Sequence, residues 1–585
     1  MFIIGVNLEL ISNSIIVDSD IDAPSRPFGG IQIGGQSHNV VIQGNYIDGG
    51  VGNGICLGHL EWIERETDTA PIDEYEVDGA FGYGTKVIIT ADGCIGIPTQ
   101  PTPPPTDNEV ELIPASGGEI QNLSIQSNQI LNMSLNGIGV CHFFDLSENP
   151  DFIGLDNTQI THNIISNCLR GEFEKLPMEQ MMFKAIGGIA LASCDLLDIS
   201  NNKIFGNAQS VEVSNCGVFV LHGSGFKIND NQVYNNGATP QNNEYFEPFG
   251  RRGGIVIGWC NSPAPSIVAD NPFSGVEAIT TSMAQAITPS GYTALSCHRN
   301  FVDSSHGQAL KVVALGPTII TNNRFNGAGH SNALLSYFAY FFVLSPGVTS
   351  LFLLLGALAS YSIVDRDDIN ADYLLLSELF IAALGGSAVS VFNSAFAEDI
   401  YMGSSTTDPD GEIYRGGGET LFNDNQVSLR AHSRSSEGNI SSVMVSSLDD
   451  VSFGNNQLEC ENDMPFVLIN GFISGTSVRV IGNRFQESLW SSGGSEEASL
   501  TNLLSAFTFS LVMNTTSNNQ ATHCYSINNA ESLNFRGTPD GHTVNENNLS
   551  IINELYSIDN GFCSLIGEFG GKRAWGSYAF LNKGY

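Results

Sequence analysis

An asparagine recurs down this chain inside one short phrase: an apolar residue, two spacers, Asn, one spacer, then another apolar residue. It stands at Asn13 (LISNSI), Asn45 (IQGNYI), Asn128 (IQSNQI), Asn163 (ITHNII), Asn202 (ISNNKI), Asn231 (INDNQV) and Asn300 (CHRNFV). It returns at Asn323 (ITNNRF), Asn425 (FNDNQV), Asn456 (FGNNQL), Asn483 (VIGNRF) and Asn547 (VNENNL), with a degraded copy at Asn519 (TSNNQA). Spacings of 32, 35, 39, 29, 23, 31 and 27 read as single periods. Those of 83, 69, 102 and 64 read as periods with a missed copy or an insertion. A repeat of this length marks a solenoid, whose units bury their apolar faces only against their neighbours.

The contents of each period identify the unit. Apolar and polar residues alternate, as in Leu123-x-Ile125 and Val478-x-Val480, a period of two that belongs to strand rather than helix. The apolar residues are mostly Ile, Val and Phe, which fit a pleated, half-buried surface. The two spacers and the Asn form a turn between short strands, where Asn tolerates the left-handed backbone region. Stacked coil on coil, its amide can donate and accept along the repeat. A second phrase alternates with the first: Gly30-Ile-Gln-Ile, Gly54-Ile-Cys-Leu, Gly137-Ile-Gly-Val, Gly188-Ile-Ala-Leu, Gly217-Val-Phe-Val and Gly254-Ile-Val-Ile. Short strands at this period, with no helical stretch between them, predict a parallel β-helix.

These N-x-I and G-I-x-φ phrases resemble the right-handed parallel β-helix repeat, the pectin-lyase-like superfamily, from Ile11 to about Leu549. The resemblance implies an all-β chain: a single-stranded right-handed parallel β-helix solenoid with loop insertions, its hand agreeing with the preference of parallel crossovers. The superfamily holds polysaccharide lyases, hydrolases, epimerases, tailspikes and adhesins, so the fold carries no single activity with it. It also favours an extracellular or cell-surface setting. The start of the sequence shows no conventional secretion signal and opens already inside a coil.

A solenoid grows by adding coils, so 585 residues need only one elongated unit. About 15 to 18 coils at about 4.8 Å each predict a rod about 70 to 85 Å long. Residues 1–60, 120–330 and 386–585 read as coils, the last with a C-terminal cap. Residues 61–119 read as an acidic, proline-rich insertion, and 331–385 as an apolar irregular segment. Within it, 331–364 carries no charge and is long enough to span a bilayer. However, Ser345-Pro346-Gly347 breaks it, and strand resumes near Val389. Buried coils or an inserted apolar hairpin are therefore expected there, not a span.

With 61 acidic against 23 basic residues the net charge is −38, which argues against nucleic acid as a partner. The eleven cysteines form no C-x-x-C pair. Cys141, Cys168, Cys194 and Cys216 recur about once per coil, and Cys56 and Cys260 sit in or beside the glycine phrases. This placement predicts free thiols in the stacked core.

Catalytic signatures are sparse. Asp449-Asp450 is a pair of the kind glycoside chemistry requires, although SLDDVSFGNN reads as a solvated turn before a strand. A lyase-like site needs acids beside a poised base. Glu244, Glu247, Arg251 and Arg252 in the 235–253 loop, with His222 one coil earlier, are the candidates. No cofactor is called for. Calcium is the one cation hinted at, because Asp408, Asp410, Glu412 and Glu419 take the first, third, fifth and twelfth places of a calcium loop. Ile413 stands where such a loop needs Gly. The expected function is a non-catalytic scaffold whose loops contact glycan or protein partners, with a polysaccharide lyase or hydrolase as the alternative.

Overall fold

The computed structural model describes residues 1–17, 29–64, 88–89, 95–96, 112–144, 151–171, 173, 184–209, 215–237, 253–263, 293–304, 307–327, 387–393, 419–429, 441–447, 449–461, 469–488, 504–522, 528–529, 542–546 and 549–551. Every regular element among them is a strand. Almost all pairing is parallel and joins each coil to the next, which makes an all-β parallel solenoid. One exception is an antiparallel stem, Leu60–Glu64 with Leu112–Ser116, at the base of the 61–119 insertion.

Each coil contributes to three tracks. The first runs into the repeated Asn, as in His38–Gln43 and Ile120–Gln126. The second leaves it, as in Tyr46–Asp48 and Gln129–Leu131. The third carries the glycine phrase, as in Ile55–Leu57 and Ile138–Val140. The after-Asn track is a 13-stranded sheet. The other two merge into one 23-stranded sheet, because Ile186–Ser200, Ile469–Ile481 and Leu504–Ser517 each run from the glycine track into the before-Asn track. Thirteen rungs at about 4.8 Å make a stack of about 60 Å, shorter than the sequence suggests. The reason is that the 83-, 69- and 102-residue spacings are single coils: Asn45 bonds directly to Asn128, Asn231 to Asn300, and Asn323 to Asn425.

The asparagines form one continuous chain of hydrogen bonds from Asn13 to Asn519. Asn202 is typical. Its backbone N–H and Nδ2 both donate to Asn231 Oδ1 (3.0 and 3.1 Å), and Nδ2 also donates to Ile160 O (2.7 Å). Its own Oδ1 accepts from the N–H and Nδ2 of Asn163 (2.9 and 3.0 Å). Every polar site of the buried amide is thus used. The degraded copy, Asn519, accepts from the N–H and Nδ2 of Asn483 and donates to Val480 O, while Asn547 lies outside the described residues. One expectation is corrected: the left-handed residue is not the ladder Asn but the one before it, including Ser127 (φ 55°), His162 (59°), Asn201 (60°), Asp230 (56°) and Arg299 (53°). The preceding residue makes the bend, leaving the Asn free to reach across to its neighbour.

That corner is two residues long in every coil, from Ser12-Asn13 between Val6–Ile11 and Ser14–Ile16 onward. All variation in period falls at the other two corners. Segments 65–111, 264–292 and 394–418 connect the glycine track to the before-Asn track. Segments 238–252 and 328–386 connect the after-Asn track to the glycine track. The 170–187 and 235–253 stretches thus share one corner and the 61–119 insertion leaves another.

Inside, like stacks on like. One core column runs Ile42, Ile125, Ile160, Ile199, Ile228, Cys297, Ile320, Phe422, Phe453, and the last two rings stack at 5.2 Å and 4°. Burying each such side chain contributes about 1.5–3 kcal/mol. The glycine phrase has a packing reason. A Cβ on Gly54, Gly137, Gly188, Gly217 or Gly254 would overlap a branched methyl of Ile130, Ile165, Ile204, Val233 or Val302. Along the glycine track both faces are buried, as in Gly253–Asn261 and Gln308–Leu315.

Cys141, Cys168, Cys194, Cys216, Cys260 and Cys297 are free and buried, as predicted, and burial pushes the Cys168 and Cys297 thiols up to about 12. Cys56 departs from this pattern and is disulfide-bonded. It is buried and shares a column with Gly139 and Ala190. Among the described residues no helix is long and apolar enough to cross a membrane, and the apolar segment 331–364 lies outside them.

Candidate functional site

The corner where the glycine track turns into the before-Asn track collects carboxylates from separate coils. Asp156 and Asp195 are register partners on adjacent rungs, and Ser224 and Asn261 continue the same column. Glu119 stands on the preceding coil, exposed, accepting from Gln121 Nε2 at 2.8 Å. Burial, then the charges of Glu119 and Asp195, raise the Asp156 carboxyl to about 6. Burial also raises Asp195, partly offset by the Ser224 hydroxyl that donates to its Oδ1 at 2.6 Å. Like charges on one column disfavour joint ionisation.

His222 belongs to the same surface. It pairs in register with Ser193, two residues before Asp195, and the Phe152 ring meets it edge-on at 4.4 Å. The residue is half-buried, but its Nε2 is sealed from solvent and has no partner among the described residues. Burial lowers its pKa to about 3. The ring is therefore neutral at physiological pH and a weak proton acceptor.

Further along the same corner sits a second group. Glu419 precedes Thr420–Asn423 and is 1 % exposed, and neither of its oxygens has a hydrogen-bond partner among the described residues. On the next coil lie Asp449, 2 % exposed, and Asp450, whose carbonyl accepts from Thr420 N–H at 2.9 Å. Arg479 follows one coil on, in the column of Leu421 and Ser452. Burial, then Asp450 and Asp449, raise the Glu419 carboxyl to about 8, with Arg479 opposing. A carboxyl that keeps its proton at neutral pH beside other acids is what acid–base chemistry uses, although structural clusters show it too.

Several sequence expectations change here. Asp449 is buried at a solenoid corner, not in a solvated turn. Glu419 is enclosed. Asp408, Asp410 and Glu412 lie outside the described residues, as do Glu244, Glu247, Arg251 and Arg252, so the structure does not bring His222 together with them. The column of Asp156 and Asp195 escaped the sequence reading, yet a signal existed. Asp156, Asp195 and Asp449 each stand seven residues before a ladder Asn, at Asn163, Asn202 and Asn456.

No protein-family model, no curated protein and no solved structure matches this chain.

Proposed function

We propose that this chain is a non-catalytic binding scaffold, a rigid solenoid whose insertions contact glycan or protein partners. One observation carries the reading: the coil length varies only at the two corners flanking the glycine track, while the Asn corner keeps two residues throughout. Connections on a rigid frame are where binding residues concentrate. The pectin-lyase-like superfamily is the family reading that the N-x-I and glycine phrases support. The test is a glycan array and a pull-down with the full chain, compared with a variant in which 65–111 is replaced by a short Gly/Ser linker. Loss of a specific ligand in that variant supports display by the insertions. Failure of the intact chain to bind any glycan or protein overturns it.

A second reading, a polysaccharide lyase or glycoside hydrolase, is favoured by Glu419 with Asp449, Asp450 and Arg479 on consecutive coils. In a hydrolase, protonated Glu419 would protonate the leaving oxygen while an ionised Asp activates water. New reducing ends from a neutral glycan, absent in Glu419→Gln, would establish it over the scaffold.

A further inference from the structure

The outer face of the after-Asn track carries a column free of acids. The residue just after each ladder Asn from Asn13 to Asn519, continued in register by Leu549, forms one outward column, and none of its thirteen members is acidic. Its middle six coils carry Lys203, Gln232, Phe301, Arg324, Gln426 and Gln457, in register. All are exposed except Phe301, which is half-buried. The whole chain has only 23 bases, so two in six positions is a local enrichment. Beside this column Phe205 and Tyr234 stack at 5.3 Å and 10°, and Tyr234 meets Phe301 at 6.4 Å. Lys203 Nζ lies 5.1 Å from the Phe205 ring centroid, and the Arg324 guanidinium 5.6 Å from that of Phe301. Asp303 and Glu459 are the acids of the neighbouring outward column across these coils.

We propose that this face is a binding strip for a linear, uncharged polysaccharide lying along the solenoid axis. The proposal rests on the scaffold reading and moves the contact from the insertions to the sheet itself. A hydroxyl-rich polymer needs donors and acceptors at regular intervals. Exposed glutamine amides supply both: Gln426 and Gln457 stand on adjacent coils, about 4.8 Å apart, and Gln232 lies three coils before Gln426 in the same column. The aromatic group adds apolar surface with its ring positions already set by stacking, so little ordering remains to be done on binding. Lys203 and Arg324 are held over rings, which leaves N–H groups to donate. A polyanion is disfavoured because the net charge of −38 repels it at long range. Access is open on one side, because the Asn corner bordering this face carries no insertion in any coil.

The experiment is affinity electrophoresis of the full chain in gels containing hydroxyethylcellulose, mixed-linkage β-glucan, galactomannan or dextran, with alginate and heparin as anionic counterparts. Thermal melts of every variant establish that it folds. Retardation by a neutral polymer, weakened about fivefold or more in Gln232→Ala/Gln426→Ala and in Phe301→Ala, is expected. Two variants are used because loss of Phe301 also loosens Tyr234. If a neutral glycan binds and these variants bind it equally, the strip is wrong while the scaffold reading stands. If no neutral polymer retards the chain, the strip is wrong. Retardation only by alginate or heparin, lost in Lys203→Gln/Arg324→Gln, overturns the uncharged class.

Discussion

The amide of each ladder asparagine meets two demands with one side chain, and this makes it hard to replace. Removing Asn202 leaves the N–H and Nδ2 of Asn163 without their acceptor and Ile160 O without its donor. Asn202→Ala is therefore expected to cost about 1–3 kcal/mol. Asn202→Asp should cost more, because it places an acceptor against Asn231 Oδ1 in a buried site. Chemical denaturation of both variants checks this, and parent-like midpoints would reduce the asparagines to turn formers. Glu419 makes a pH prediction of definite sign. Folded, it keeps its proton to about 8, against an ordinary value of 4.5, so the folded state binds more protons between those limits. Stability from this group is complete below about pH 4.5 and is lost as pH rises through about 8. Glu419→Gln removes that slope, so its advantage over the parent should grow by about 2–4 kcal/mol between pH 5 and pH 9. A gap that stays constant across denaturation curves at pH 5, 7 and 9 would contradict the enclosed carboxyl.

At the scale of the element, the three corners are unequal. The Asn corner holds its register because the amide must reach the next coil, whereas the others need only return the chain to the sheet. A Gly-Ser-Gly-Ser insertion after Ser262 should cost below about 1 kcal/mol, since lengthening a connection adds little closure entropy. The same insertion between Asn201 and Asn202 displaces the amide from both neighbours and should cost about 3 kcal/mol or more. Comparing the two in urea melts tests the asymmetry directly. This inequality also decides how much of the structure the sequence reveals. Counting back from a ladder Asn, spacing is invariant, and so strand positions such as Leu123 and Val478 are legible. Counting across a connection, spacing is lost. Asp156 and Asp195 lie 39 residues apart, and only their common distance of seven residues from Asn163 and Asn202 signals the register that pairs them. The bend at Asn201 rather than Asn202 was hidden for another reason: both residues tolerate it, and the hydrogen-bond geometry alone chooses between them.

For the molecule as a whole, nearest-neighbour pairing replaces a single central core. That explains why the repeated phrases predict an all-β parallel solenoid while leaving the function open. The repeat encodes stacking, whereas the acids at the corner and the amides on the after-Asn face occupy positions that stacking leaves free. The asparagine chain also has a direction. From Asn13 through Asn483 each N–H and Nδ2 donates to the Oδ1 of the coil that follows, and from Asn45 through Asn519 each Oδ1 accepts from the coil that precedes, while Nδ2 also returns a bond to a backbone carbonyl of that preceding coil. The amide dipoles therefore add along the axis instead of cancelling. Two such stacks cannot meet like end to like end, because acceptors would confront acceptors. A polypeptide that continued this chain of amides on a further coil would therefore have to arrive in the same sense, head to tail.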